Sequence, residues 1–260
     1  MPTPEVQFAS HGRVAFLTFN RPDARNAMTW PMYDALAEAC DRVDADQGIR
    51  VFVLRANGEA FVAGTDIAQF ASFATAADGL AYERRMEQVI DRLERVSVPT
   101  IAQVQGVAAG GGCLIALACD LRVCSPAARF GVPIARTLGN CLSAANCARL
   151  VDLIGPARTK ELLFTGRLLD AAEAASLGLV TRMAGPEAID DVVRDLADTV
   201  AGNAPLTIRA TKEVVRGIAL RRRLDESAAD DLTASCYGSR DFREGVAAFL
   251  EKRPPSFTGR

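Results

Sequence analysis

The sequence predicts an α/β fold in which mostly parallel, buried strands alternate with helices. Four short apolar runs each end in a loop of small or polar residues, and segments with helical periodicity lie between them. From residue 143 onwards the pattern is almost entirely helical. Because the runs are continuously apolar rather than alternating, they favour a sheet that is covered on both faces. The predicted strands are residues 14–19, 51–54, 100–104 and 121–124.

The segments between these strands have the spacing of amphipathic helices. One helix is predicted over 31–44, since Pro31 suits the first helical turn and Met32 and Leu36 then share one face. A second is predicted over 78–96. Further helices are predicted at about 143–153, 156–163, 170–176, 186–201, 205–220, 224–236 and 241–250.

The 260 residues are interpreted as one large unit with a helical appendage. The predicted boundary separates a core of residues 1–200 from a helical region of residues 201–260. The short amphipathic helix at 241–250 carries apolar residues that we expect to pack on another subunit. The basic cluster at 221–223 is interpreted as the solvated end of a helix, with phosphate binding as the alternative.

The composition excludes several classes of function. The chain has 30 basic and 32 acidic residues and no basic stripe, so neither nucleic acid nor a membrane surface is an expected partner. No apolar run approaches the length of a membrane span, and the N-terminus lacks a signal-peptide pattern. Seven cysteines without a C-x-x-C pair are typical of reduced thiols and indicate a cytoplasmic location. The single histidine, His11, lies before the first predicted strand, and no metal site is expected.

Three consecutive glycines, Gly110 to Gly112, lie where the strand at 100–104 gives way to an Ala-rich, apolar segment. Glycine permits unusual backbone angles and close approach of a ligand, and a helix N-terminus has unpaired N–H donors. The spacing matches neither the dinucleotide-binding fingerprint nor a phosphate-binding loop. Two interpretations stay open from the residues alone: a site for an anion or a developing oxyanion, or a close helix–strand contact that requires small residues.

Three separated motifs together resemble the crotonase superfamily, also called the enoyl-CoA hydratase/isomerase family. They are N-R-P at 20–22 with N-A at 26–27, F-V-A-G-T-D-I at 61–67, and A-G-G-G-C at 109–113 followed by C-D at 119–120. The segments 163–180 and 244–253 also resemble the family, so the resemblance covers nearly the whole chain.

The resemblance implies a crotonase-type spiral of ββα units with a C-terminal α-helical trimerisation region. It implies a homotrimer or homohexamer and an acyl-CoA thioester substrate, so that coenzyme A is part of the substrate and no separate cofactor is expected. It also implies an oxyanion hole made by the backbone N–H groups of Thr65 and Gly111. Two such donors would stabilise the negative charge that develops on the thioester oxygen.

The resemblance further implies where coenzyme A lies. The loop at 20–27 would follow the coenzyme, with Arg21, Arg25 and Ala27 in contact, and the adenine would lie near Ala63. Phe249 and Lys252, from this subunit or a neighbouring one, would meet its adenosine and phosphate end.

The chain departs from the family at the two glutamates that add water in its hydratases. Leu114 and Ile134 occupy the corresponding positions, and neither side chain can transfer a proton. Four other residues are therefore candidates for catalysis. Asp66 lies nearest the oxyanion hole but is usually structural in this family. Glu83 and Glu87 lie on a helix that borders the acyl pocket in some relatives.

The fourth candidate is Arg136, which would pair with a carboxylate on the acyl group. It belongs to the loop at 135–143, whose residues Asn140 and Ser143 are also expected near the pocket. Three hypotheses remain: an enzyme of this family that stabilises a thioester enolate, a non-hydratase member that catalyses decarboxylation, isomerisation or thioester hydrolysis, and a catalytically idle acyl-CoA-binding protein.

Overall fold

The computed structural model describes residues 4–221 and 229–260. Two of the three arginines in the predicted basic cluster, Arg222 and Arg223, lie outside the described residues. The first part of the helix predicted at 224–236 also lies outside them.

The strands of the described residues form two sheets. Six strands are hydrogen-bonded in the order β1-β2-β3-β4-β6-β9, and three form a smaller sheet in the order β5-β7-β8. Only the β1–β2 and β7–β8 pairs are antiparallel among the recorded pairings. The strands are β1 (Val6–His11), β2 (Val14–Phe19), β3 (Val51–Ala56), β4 (Thr100–Val104), β5 (Val107–Ala109), β6 (Leu121–Cys124), β7 (Arg129–Gly131), β8 (Leu169–Asp170) and β9 (Arg182–Met183).

Helices connect and cover these strands. Short 3-10 helices also occur at Pro22–Ala24 and Ile67–Ser72. The α-helices of the described residues are α1 (Trp30–Ala45), α2 (Ala76–Glu94), α3 (Gly111–Ala118), α4 (Ile134–Thr137), α5 (Ala144–Thr165), α6 (Ala171–Ser176), α7 (Ile189–Gly202), α8 (Pro205–Leu220), α9 (Asp230–Gly238) and α10 (Arg240–Leu250).

The larger sheet is covered on both faces, as predicted. Successive residues of a strand point to opposite faces, and in β3 each face has its own hydrophobic cluster. Val51 and Val53 pack with residues of α7. Phe52 and Leu54 belong to the larger cluster, which includes residues of α1, α2 and α3. The predicted α/β class with buried, mostly parallel strands is therefore confirmed.

The sequence prediction missed the partly exposed and the very short strands. β1 is half exposed at the sheet edge, so its six residues lack a continuous apolar run. His11 was expected before the first strand; it is the last residue of β1. The strands β5, β7, β8 and β9 have only two or three residues each, too few for a periodic pattern. The two helices predicted at 143–163 form one element, α5, with a kink at Gly155.

A third hydrophobic cluster joins the C-terminal helices to the core. Tyr237 of α9 and Phe242 of α10 pack with Phe70 and Leu138. Phe242 and Val246 of α10 are thus buried within their own chain, and the packing of this helix on another subunit stays a prediction. Phe249, near the end of α10, remains exposed. The boundary at residue 200 stays a prediction.

Candidate active site

A pocket of about 410 Å³ lies where the two glycine-containing loops meet α2, α4 and α10. One wall is main chain, from residues 63–66 and 109–111. Another part of the lining comes from helices and includes Tyr82, Glu83 and Asn146. The pocket therefore has a backbone wall and a side-chain wall, whose residues come from different parts of the sequence.

The backbone wall is held together by a short parallel bridge between Val62 and Ala108. The Val62 amide donates to Val107 O at 3.1 Å, and the Ala109 amide donates to Val62 O at 3.0 Å. These bonds place the start of α3 beside the loop at 63–66. Gly110 precedes α3 with φ 51° and ψ −124°, a conformation that residues with a side chain rarely adopt.

Gly111 and Gly112 have almost no space for a side chain. A Cβ built on Gly112 would lie 2.0 Å from Val62 O, so this glycine serves the close helix–strand contact. A Cβ on Gly111 would lie 2.5 Å from the Tyr33 hydroxyl and 3.3 Å from Thr65 Oγ1. Gly112 thus serves the close helix–strand contact, and Gly111 lies next to Thr65.

The backbone amides of Thr65 and Gly111 are both unpaired in the described part of the chain. On either side of Thr65, the Met28 amide donates to Gly64 O at 2.8 Å and the Asp66 amide donates to Met28 O at 2.9 Å. Gly111 is the first residue of α3, where helical N–H groups have no acceptor within the helix. Within residues 4–221 and 229–260, neither amide has a hydrogen-bond acceptor. The pocket thus contains two unpaired donors on neighbouring loops.

Two tyrosines position the Thr65 side chain. Thr65 Oγ1 is hydrogen-bonded to the Tyr33 hydroxyl at 2.8 Å and to the Tyr82 hydroxyl at 3.0 Å. Burial raises the pKa of both tyrosines well above the usual value. Both phenols therefore stay neutral, and their effect on Thr65 is independent of pH in the neutral range.

Glu83 is a buried carboxyl on the side-chain wall, with 7% of its surface exposed. The Tyr237 hydroxyl donates to its Oε1 at 2.6 Å, and the Ser143 amide donates to its Oε2 at 3.1 Å. Burial raises the pKa of Glu83 to about 7. The two hydrogen bonds lower this pKa, whereas the charge of Glu87 raises it further. Glu83 therefore changes protonation state near neutral pH.

Glu87, the other candidate on α2, is held in an ion-pair network. Arg149, with 2% of its side chain exposed, contacts Glu87 at 2.8 Å and Glu94 at 2.7 Å. Arg149 also donates to Asn146 Oδ1 at 2.8 Å. Glu87 is not one of the pocket-lining residues, and its carboxylate neutralises the buried guanidinium of Arg149.

The pocket brings together only some of the residues expected to bind coenzyme A. Its lining includes Arg25, Ala27, Ala63 and Phe249, the last from the same chain. Arg21 does not line it; its guanidinium pairs with Asp66 at 2.8 Å and donates to Ala27 O at 2.9 Å, which holds the 20–27 loop against the 61–67 segment. Lys252 is exposed, just beyond α10, and does not line it either.

Of the remaining predicted residues, some line the pocket and others do not. Leu114 and Ile134 both line the pocket, so apolar side chains occupy these two places on its wall. Arg136 is exposed and is not among the lining residues. Tyr82 and Tyr237 were not anticipated from the sequence. Each lies on a helix without a local motif, and its place in the site follows only from hydrogen bonds to residues that are distant in sequence.

The described residues contain neither a metal site nor a membrane-spanning helix. No group of three His, Cys, Asp or Glu side chains there could hold a metal ion. No helix there is both long and apolar enough to cross a membrane. All seven cysteines are free thiols.

Comparison with known proteins gives consistent results. The family model described as "Enoyl-CoA hydratase/isomerase" matches residues 9–260. The short-chain-enoyl-CoA hydratase of Clostridium acetobutylicum is 32% identical over 257 residues, covering 97% of both chains. The crystal structure of an enoyl-CoA hydratase/carnithine racemase from Magnetospirillum magneticum is 34% identical with a TM-score of 0.81, covering 100% of this chain and 97% of the other. Methylmalonyl-CoA decarboxylase in complex with 2-nitronate-propionyl-CoA is 26% identical with a TM-score of 0.90, covering 100% of both chains.

Proposed function

The chain belongs to the enoyl-CoA hydratase/isomerase family, the crotonase superfamily, and from this premise we propose that the Thr65 and Gly111 amides form an oxyanion hole for the enolate of an acyl-CoA thioester. Their unpaired N–H groups and the bridge that holds their loops together support this assignment. Fixed donors in a site sheltered from water stabilise developing charge at little reorganisation cost.

Glu83 is the proposed acid–base group, because its protonation state changes near neutral pH. A proton-transfer group works best when its pKa is near the operating pH, and the pKa of Glu83 is raised to about 7 by burial. Leu114 and Ile134 line the same pocket and cannot take part in proton transfer. Asp66 also lines the pocket, but its carboxylate is paired with Arg21. The acid–base chemistry is therefore assigned to the carboxyl of Glu83 on α2.

A single carboxyl suits isomerisation of a double bond in the acyl chain. Ionised Glu83 removes a proton from the α carbon of a 3-enoyl-CoA, and the electron pair moves onto the thioester oxygen. The same carboxyl, now protonated, returns the proton to the γ carbon, which completes a 2-enoyl-CoA. No water is consumed, so a pair of carboxyls that activates water is not required.

The test measures conversion of 3-butenoyl-CoA to crotonyl-CoA, together with exchange of α hydrogens in deuterated water. Glu83→Gln is expected to lower both rates by about 10²–10⁴-fold, the usual contribution of a general acid–base group. Glu38→Gln, the same change at an exposed position of α1, is the control. Equal rates in Glu83→Gln and the wild type would overturn the role of Glu83.

Decarboxylation is a second candidate, favoured by the TM-score of 0.90 to methylmalonyl-CoA decarboxylase. There the enolate would form by loss of carbon dioxide, and protonated Glu83 would donate its proton to the α carbon. The two reactions need opposite protonation states at the start. Isomerisation should therefore weaken as pH falls below about 7, whereas decarboxylation should weaken as pH rises above it. Binding of acyl-CoA without any turnover would instead favour the catalytically idle protein.

The proposed assembly is a homotrimer or homohexamer. It is supported by exposed apolar side chains on α8, which has no buried residue within this chain. They include Leu206, Val214, Val215 and Ile218. Light scattering of the purified protein tests the assembly, and a monomeric mass would contradict it.

A further inference from the structure

The guanidinium of Arg149 is buried and fully hydrogen-bonded. It donates to the two carboxylate oxygens of Glu87 at 2.8 and 3.0 Å, and to those of Glu94 at 2.7 and 2.9 Å. A further bond goes to Asn146 Oδ1 at 2.8 Å. These bonds use all the N–H donors of a guanidinium, whose planar shape fixes both carboxylates relative to it. Glu87 is therefore held in one position.

Ser143 connects this ion pair to Glu83. Its hydroxyl donates to Glu87 Oε2 at 3.1 Å and accepts from the Asn146 amide at 3.2 Å, which makes Ser143 the N-cap of α5. The backbone amide of Ser143 donates to Glu83 Oε2 at 3.1 Å. One residue thus contacts both carboxyl groups of α2, and the contact with Glu87 fixes the place from which it contacts Glu83.

The same cluster acts on Glu83 by charge. Glu83 and Glu87 are one helical turn apart on α2, so they lie on the same face. The negative charge of Glu87 raises the pKa of Glu83, whereas the hydrogen bond from the Ser143 amide lowers it. Glu87 therefore has two opposite effects on Glu83, one direct and one through Ser143.

The other titratable groups that interact with Glu83 are phenols and thiols, whose pKa burial raises. They are Tyr33 of α1, Tyr82 of α2, Tyr237 of α9, Cys141 before α5 and Cys147 of α5. These groups are neutral near pH 7, whereas Glu87 is ion-paired with Arg149. A change of charge beside Glu83 in this pH range can therefore be made at Glu87.

We propose that Glu87 and Arg149 are positioning residues that hold the Glu83 carboxyl through Ser143, an inference that rests on the proposed function. The ion pair fixes the Ser143 hydroxyl, and the amide of the same residue holds Glu83 Oε2. Each carboxylate oxygen has a second lone pair, so this bond leaves Glu83 able to accept a proton from a substrate. Neither Glu87 nor Arg149 is among the pocket-lining residues, so both act without touching the substrate. Supporting hydrogen bonds of this kind keep a reacting group in its productive geometry.

The first test titrates Glu83 without a substrate. Infrared spectra over a pH series show the carbonyl stretch of a protonated carboxyl, and its loss in Glu83→Gln identifies the band. Glu87→Gln keeps an oxygen that can accept from Ser143 but removes the charge. The band should then disappear at a pH about one unit lower than in the wild type, because a like charge one helical turn away disfavours ionisation.

Ser143→Ala tests the hydrogen-bonded contact separately from the charge. This variant keeps Glu87 and its ion pair with Arg149 but loses the hydroxyl that fixes the Ser143 amide. The pKa of Glu83 should therefore rise, opposite to the shift in Glu87→Gln. In the 3-butenoyl-CoA assay, the acid-side fall of kcat/KM should move in the same direction as the infrared titration in each variant. A general loss of structure would not produce opposite shifts.

Two variants serve as controls. Glu94→Gln removes a charge from the same ion-pair network, but Glu94 is the last residue of α2 and lies about 16 Å from Glu83 along the helix. Its Glu83 titration should stay within about 0.3 pH units of the wild type, since charges so far apart are largely screened. Asp170→Ala removes the N-cap of α6 and controls for the loss of a cap in Ser143→Ala.

The outcomes separate this inference from the proposed function. The inference is overturned if Glu83 in Glu87→Gln titrates as in the wild type, or if both variants shift its pKa in the same direction. If Glu87→Gln does not fold, Ser143→Ala decides alone, and an unchanged titration rejects the inference. Opposite infrared shifts without turnover of 3-butenoyl-CoA by the wild type would support the positioning role and reject the isomerisation alone.

Discussion

The two walls of the pocket obtain their chemistry in different ways. The backbone wall consists of amides whose direction is set by the local conformation at Gly64–Thr65 and Gly110–Gly111. The side-chain wall depends on Glu83, whose partners Ser143 and Tyr237 lie 60 and 154 residues away in sequence. A local motif is therefore enough to identify the first wall, whereas the second becomes visible only when the helices are packed together.

The walls also differ in their response to pH. Backbone amides do not titrate, and the tyrosines behind Thr65 stay neutral because burial raises their pKa. Glu83 changes its charge near pH 7. We expect changes in the backbone wall to affect the rate at every pH, and changes to the partners of Glu83 to affect mainly the pH dependence of the rate.

Gly111→Ala should lower the rate strongly at every pH, because it acts on the backbone wall. The new Cβ would lie 2.5 Å from the hydroxyl of fully buried Tyr33, so the start of α3 must move and carry the amide with it. Loss of one oxyanion donor typically lowers kcat by about 10²–10³-fold. Gly202→Ala is the control, since a Cβ there meets nothing within 4 Å. A folded Gly111→Ala enzyme with nearly normal kcat would show that this amide is not a donor.

Glu83→Gln should change the pH dependence of stability. The folded protein retains the proton up to about pH 7, whereas an ordinary glutamate loses it near 4.5. The native state thus binds more protons than the unfolded state in this window, and wild-type stability falls as pH rises through it. The variant lacks this loss. Its free energy of unfolding, relative to that of the wild type, should therefore rise between these pH values by at most about 3 kcal/mol. Parallel unfolding curves for the two proteins across the window would contradict burial of an ionisable carboxyl.

Tyr237→Phe should change only the pH dependence of the rate. The hydroxyl of Tyr237 lowers the pKa of Glu83, so its removal should raise that pKa further. For isomerisation, the fall in kcat/KM on the acid side should then begin at a higher pH than in the wild type. The residual rate of Glu83→Gln should lack this fall and provides the reference. An unchanged profile in Tyr237→Phe would mean that another group controls the rate.

Asp66→Asn should have the smallest effect. Asp66 lines the pocket, but its carboxylate pairs with Arg21 at 2.8 Å and accepts from the Ala68 amide at 3.1 Å. Both partners of this ion pair are partly exposed, so its loss should cost no more than about 1 kcal/mol of stability. A steady-state assay should give kcat within a few-fold of the wild type. A hundredfold loss in a folded variant would identify Asp66 as a proton-transfer group.

These differences explain which features could be predicted from the sequence. The buried strands at 14–19 and 51–54 have continuous apolar runs, and the glycine run has a motif, so both were found. Edge strand β1 was missed because only part of its surface is buried. Glu83 was a candidate, but its pKa depends on burial by α9, which no local pattern on α2 indicates. Arg136 was a candidate by proximity in sequence, yet its side chain is exposed.

The most direct test of the account is a crystal structure with a bound, unreactive acyl-CoA analogue. The account predicts that the thioester oxygen lies within about 3.1 Å of the amide nitrogens of both Thr65 and Gly111, the geometry of an oxyanion hole. A thioester oxygen bound elsewhere, or one that contacts neither amide, would contradict it.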